Sequence, residues 1–274
     1  MLHPQARLVV RNAAFYTPFR GWHQLDDVPY SERPPAITAV RFLSGSATVV
    51  MDHLICEGVK YCLYSWDSHV TIKNSLFLEN YEAIRDDGHS KTQLEIERSI
   101  FFRNDRGSRF PNCRSCSVTG SLFLQNSIAL SAGYANVWHS TFAQNAKAMT
   151  CESNIVWCSG LRLTDVLFYG NDMAFSQANG VLHNITFLDN RLGLKIATQV
   201  NGLNGINFLG LKEYHFHYTG TALYNLDLSS TYWNTTSLDE MEADIYDALD
   251  GSGAGVVQIL GAESMPDVPF HHVM

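Results

Sequence analysis

The chain is short of charge. Asp, Glu, Lys and Arg make up only 17% of its 274 residues, against roughly 25% in an ordinary soluble domain. Positive charge is scarcer still: 19 Lys and Arg stand against 27 Asp and Glu, a net of -8. General nucleic-acid binding needs a basic surface to neutralise phosphates, so no nucleic-acid partner is expected. No apolar run approaches the roughly 18 residues of a membrane-spanning helix, so no membrane partner is expected. The opening Met1-Leu2-His3-Pro4 lacks the basic and apolar regions of a secretory leader. With 46% hydrophobic and 12% aromatic residues, there is ample material for a core, and the length favours one domain.

What the chain does have is one phrase, said six times between Val70 and Leu194. A clear copy begins at Ile72: I-K-N-S-L-F-L-E-N-Y-E-A-I-R. An apolar residue is followed five positions on by Phe, three later by Asn, and three later by a small residue. The Phe positions are 77, 101, 123, 142, 168 and 187, and the Asn positions 80, 104, 126, 145, 171 and 190. A large apolar residue follows the small one in five copies, and Ser108 breaks the rule. The Phe residues are 24, 22, 19, 26 and 19 apart, a period that signals stacked supersecondary units. The runs between turn residues are too short for helices and rich in β-branched and aromatic residues, which reads as short strands. Three strands and three corners per unit make one rung of a parallel β-helix, each rung about 4.8 Å from the next. Asn at a corner suits left-handed backbone and can bond along the stack. The repeated Phe, Ile and Asn are therefore scaffold.

This pattern resembles the right-handed parallel β-helix repeat of the pectate lyase-like superfamily, over Leu8 to about Asn234. The resemblance implies an all-β right-handed parallel β-helix; counted along the chain it has about ten rungs and a C-terminal helix-containing cap. It implies much less about function, because the fold carries lyases, hydrolases, epimerases, phage spikes and non-catalytic surface proteins. Secreted polysaccharide proteins dominate the family, so an extracellular or cell-surface location is expected, with a cytoplasmic one as the alternative.

Residues 1–236 are assigned to the solenoid and 237–274 to a capping segment. Phe19 to Pro35 is read as an inserted loop carrying Trp22 among other aromatics and charges of both signs; it either covers the open end of the stack or lines a site. A weaker rung spans Val49 to Tyr64, with Ile55 in the Phe position and Gly58 in the Asn position. Ser237-Leu238-Asp239-Glu240 is a capping box, predicting a helix from about 238 to 249. Gly255 to Leu260 reads as a final strand.

Alternation in a strand gives the outward residues of the third strands: Arg85, Arg109, Ser131, Thr150, Ser176 and Lys195. Arg85 and Arg109 lie on adjacent rungs, where like charges need a carboxylate or a bound anion between them; Asp86, Asp87 and Asp105 are candidates. Removing Arg85 is expected to cost the fold little, since it relieves that repulsion. The corresponding sheet of the resembling enzymes binds glycan. That implies an acidic polysaccharide or oligosaccharide partner, two-point recognition of uronate by Arg, and a lyase or epimerase. In that reading Arg85, Asp87, His89 and Arg109 are the catalytic candidates, with His89 or Lys91 as base. Trp22, Trp157 and Lys195 are the substrate-binding candidates. A non-catalytic glycan-binding or structural module, including a phage-spike-like one, is the alternative. D-D-G-H at 86–89 matches only a fragment of the polygalacturonase motifs. No cofactor is assigned; calcium is a candidate through Asp86, Asp87, Asp105 and Glu152, though no spacing fixes a site. The cysteines fall in local pairs, 56 with 62, 113 with 116 and 151 with 158, readable as disulfides, buried thiols or, with four thiolates, zinc. His215 and His217 are expected on one solvent-facing side. The flat faces leave room for a homo-oligomer.

Overall fold

In each turn of the chain three short strands follow one another, the second built around Phe. In one turn they are His69–Lys73, Leu76–Leu78 and Glu82–Asp86. The next turn repeats them as Gln93–Glu97, Ile100–Phe102 and Arg106–Phe110. The two turns pair in parallel and in register, Ile72 on Ile96, Phe77 on Phe101, Arg85 on Arg109. The computed structural model describes residues 7–16, 38–41, 48–87, 92–111, 113, 115–151, 160–176, 180–196, 203–210, 212–220, 223–228, 230–235, 237–250 and 255–260.

The fold is an all-β parallel β-solenoid with one short α-helix among the described residues. About seven turns are regular. The row of third strands is longer, ten strands in one sheet running from Thr38–Arg41 to Ile245–Tyr246.

Register puts like on like inside. Phe77, Phe101, Phe123, Phe142, Phe168, Phe187 and Phe208 are all buried, their rings stacked at centroid distances from 4.5 to 5.2 Å. Such aromatic pairs add about 1 kcal/mol each beyond their burial. Trp233 ends the column against Phe208 at 4.6 Å.

Polar ladders hold the two corners that flank the Phe stack. At the second corner, Asn126 Nδ2 donates to Phe101 O and to Asn145 Oδ1, and the same oxygen accepts from the Asn126 backbone N–H. Asn104, Asn145 and Asn171 repeat the arrangement. The left-handed residue is not the Asn, as expected, but the one before it: Glu79, Arg103, Gln125, Gln144 and Asp189 all have φ between 50° and 55°. The Asn is kept instead for its amide, which satisfies a buried backbone carbonyl and a buried N–H of the preceding turn, as Asn126 does for Phe101 and Asn104. At the first corner Ser75, Ser99, Ser121 and Ser140 form a second ladder, each hydroxyl accepting from the backbone N–H of the turn before. Later turns place Val166 and Ile185 at the corresponding position, and there the first two strands run on as single strands, Gly160–Tyr169 and Gly180–Leu188.

Three further expectations are corrected. Cys56, not Ile55, pairs with Phe77 and fills the Phe position; Val59, not Gly58, stands in the Asn position, its backbone N–H donating to Asn80 Oδ1. A slip of one residue reverses every face, so Ile55 points out and Cys56 is buried. The helix is shorter than predicted: Ser237 caps Leu238–Ala243, and Ile245 then pairs with Phe216 as a strand. Val257–Leu260 is a strand as expected, paired with Tyr224–Asp227. Finally, His215 and His217 face opposite ways. His215 and Phe216 are buried in succession, so the simple alternation fails there, and His215 packs inside against Phe208 and Trp233.

Disulfides join Cys56 to Cys62 and Cys113 to Cys116, and Cys151 is also disulfide-bonded. Their sulfurs are thereby withdrawn from zinc ligation.

Candidate functional site

The outward column of the third strands reads, in register, Arg41, Tyr64, Arg85, Arg109, Ser131, Thr150, Ser176, Lys195, His217 and Tyr246. Arg85 and Arg109 are neighbours as expected. Lys195 lies four turns beyond Arg109, about 19 Å at 4.8 Å per step, so it belongs to a separate cluster with His217. Trp22, His89 and Trp157 lie outside the described residues, as do Lys91 and Glu152.

Around Arg85 the column becomes a cluster. The Arg85 Nε donates to Asp87 Oδ2 at 2.8 Å, and Tyr64 Oη donates to the same oxygen at 3.0 Å. Arg109 Nη1 lies 3.8 Å from Asp87 Oδ1. The anion called for between the two guanidinium groups is therefore the chain's own Asp87. Asp86 turns inward and accepts from the Thr92 hydroxyl, so Asp86 and Asp87 do not share a cation cradle. Among the described residues no group of three His, Cys, Asp or Glu side chains converges on a metal position.

The floor of the cluster is aromatic. The Arg85 guanidinium carbon lies 5.6 Å from the Tyr61 ring centroid and 5.7 Å from that of Tyr64. Lys60 stands over Tyr61 at 5.2 Å and Arg41 over Tyr64 at 5.4 Å. Cations on ring faces are held by the ring quadrupole. Burial pushes the Tyr61 and Tyr64 hydroxyls above their ordinary pKa, with Asp87 adding to the rise at Tyr64.

Glu82 is the residue that sequence reasoning misses. Its side chain is 1% exposed on the outward side of the third strand, beneath Arg85. Burial raises its pKa to about 7, against the pull of Arg85, Arg106 and Arg109. One oxygen faces Arg85 Nη1 at 3.4 Å, and the other, Oε1, has no hydrogen-bond partner among the described residues. Burial alone would lower the Arg85 pKa, but Asp87 and Glu82 outweigh it and keep the guanidinium charged. The only sequence signal for Glu82 is that a carboxylate fills a repeat position held in later copies by Arg106, Ile128, Lys147, Met173 and Leu192.

At the far end of the column, His217 meets Tyr246 edge to face at 4.8 Å. Burial and then Lys195 lower its pKa. The middle of the column, Ser131 and Thr150, is covered, and their hydroxyls lack partners among the described residues.

The geometry defines a parallel β-solenoid with a cationic, aromatic cluster at one end of one face. No protein-family model matches the chain, and comparison with curated proteins and with solved structures gives no match either.

Proposed function

We propose that the protein binds an acidic oligosaccharide or polysaccharide on the third-strand face around Arg85. The observation that supports this is the layering of Arg41, Lys60 and Arg85 over the rings of Tyr61 and Tyr64. Tyr combines an apolar face with a polar tip, which suits a sugar ring, and guanidinium groups bind carboxylates in two-point fashion. A uronate would compete with Asp87 for Arg85 and Arg109. An extracellular or cell-surface location accords with the local disulfides, which persist in oxidising compartments.

The test is calorimetric titration with a panel of uronic-acid oligosaccharides. At least one should bind, more weakly as salt rises, because screening shortens to about 8 Å near physiological ionic strength. Asp87→Asn should bind it about tenfold more tightly and Arg85→Gln at least tenfold more weakly, the scale of one charged contact. Heat flat across the panel, or no change in Asp87→Asn, contradicts the reading.

A lyase or epimerase is the second reading, favoured by Glu82, whose pKa near neutrality suits a proton-transfer group. It requires that substrate reach a carboxyl now covered by Arg85. Here Asp87→Asn should lower turnover rather than raise affinity. Polyuronates should develop near-ultraviolet absorbance if the reaction is elimination.

A further inference from the structure

The second strands have a largely apolar outer side as well as their Phe-lined inner one. In Leu76–Leu78, Ile100–Phe102 and Leu122–Leu124 the central Phe is buried, so both flanking residues point out. In register they make two adjacent columns that are apolar through these three turns and mixed beyond them, where Glu57, Thr141, Thr186 and Asn207 take outward places. Side chains stacked at about 4.8 Å cover one another's flanks and leave only their tips open. Even so, Ile55 is 44%, Ile100 41% and Tyr169 39% exposed. The corners on either side are polar, with Asn74, Arg98, His139 and Asp165 along one edge and Glu79, Arg103 and Asp189 along the other. A largely apolar strip with a polar rim has the anatomy of an interface.

We infer that this face joins two copies of the chain, packed face to face and antiparallel. Size permits it. From Ile55 to Leu209 the strip spans seven steps, about 34 Å. With its corners, roughly 20 Å across, the strip approaches the roughly 800 Å² per partner of a stable interface. Shape and charge select the direction. A two-fold axis between the turn of Leu122–Leu124 and that of Thr141–Ala143 sets large side chains against small ones. One turn further out, it sets Arg98 against the Asp165 of the other copy, and symmetry makes that pair twice. Parallel packing would instead set Arg98 against Arg103, both cationic corners of the same turn. The antiparallel form also sets Glu79 against Asp189, likewise twice, but one turn further from the axis, toward the rim where water and salt weaken it.

The test is sedimentation equilibrium of the full chain at micromolar concentration. A dimer is expected. Ile100→Glu should make it monomeric without lowering the melting temperature, and Tyr169→Glu is the second such variant. Arg98→Asp should weaken the dimer at least tenfold, and Arg98→Asp combined with Asp165→Arg should restore it. A monomer or trimer overturns the inference, as does a dimer that survives both glutamate variants. A monomer that binds lipid vesicles through this face overturns it too, and assigns the strip to a membrane surface. A dimer that the charge swap fails to restore overturns the antiparallel arrangement.

Discussion

The second-strand and third-strand layers of the solenoid share one backbone plan and use it in opposite ways. In the second layer the inner column keeps Phe and the corner keeps Asn, while the outer columns are largely apolar. In the third layer the inner column runs Ile84, Ser108, Leu130, Met149, Phe175 and Leu194, and the outer one changes at nearly every step. Repetition lets in-register stacking add over the whole length. Variation gives that up and leaves room for local chemistry, as at Arg85, Asp87 and Glu82. Regular columns hold the structure, and irregular ones hold the candidate site.

The contrast can be broken most forcefully in the second layer. Phe123→Ala should cost about 3–5 kcal/mol, because its ring lies between those of Phe101 and Phe142 at 4.5 and 4.8 Å. Chemical denaturation checks this, and an unchanged midpoint would show the column to be dispensable. Asn145→Ala should follow at about 2–3 kcal/mol, since it strands the buried Phe123 carbonyl and the Asn126 amide groups.

In the third layer the largest stability effect should depend on pH. The Glu82 pKa is raised to about 7 from 4.5. A carboxyl with a raised folded pKa favours the fold most below the unfolded value and loses that contribution as pH rises through the folded one. Glu82→Gln should therefore melt higher than the parent above pH 7, with the gain shrinking toward pH 4.5. His215 acts in the other direction. Burial lowers its pKa to about 4 from 6.5, so its contribution is complete above pH 6.5 and falls away as pH drops through 4. Melting curves of Glu82→Gln and His215→Phe from about pH 4 to about pH 8 should separate the two, and parallel curves for parent and variants would contradict both assignments.

The smallest effect is expected at Ser108. It occupies the inward position of Ile84 and Leu130, and its buried hydroxyl has no partner among the described residues. Ser108→Ala should leave stability unchanged or raise it by up to about 1 kcal/mol, because an unsatisfied buried hydroxyl is removed. A loss of stability would show that the hydroxyl has a use.

How far the sequence can be read follows the same division. The Phe and Asn columns are legible because one residue type returns at one offset. Sequence reading places Ile55 one position out because Cys56 replaces the Phe that would mark the register. The Ser ladder escapes it, although Ser75, Ser99, Ser121 and Ser140 stand two residues before Phe77, Phe101, Phe123 and Phe142. Arg85 beside Arg109 is legible from strand alternation. Glu82 is not, since nothing in its own column repeats, and its raised pKa comes from burial that only the packed cluster supplies. The expectation that Arg85 can be removed at little cost to the fold rests on its repulsion with Arg109 alone; the structure adds a contact to the buried Glu82, which Arg85→Ala would remove, leaving Arg106 and Arg109 as the remaining cations near it.

The central claim is that recognition belongs to the third-strand face and not to the regular second-strand one. It is tested most directly by titrating one uronic-acid oligosaccharide that binds the parent into Arg85→Gln and Ile100→Glu, each first shown to melt cooperatively. Affinity at least tenfold weaker in Arg85→Gln and unchanged in Ile100→Glu is the predicted result. Equal affinity in Arg85→Gln and the parent, or loss confined to Ile100→Glu, would contradict it.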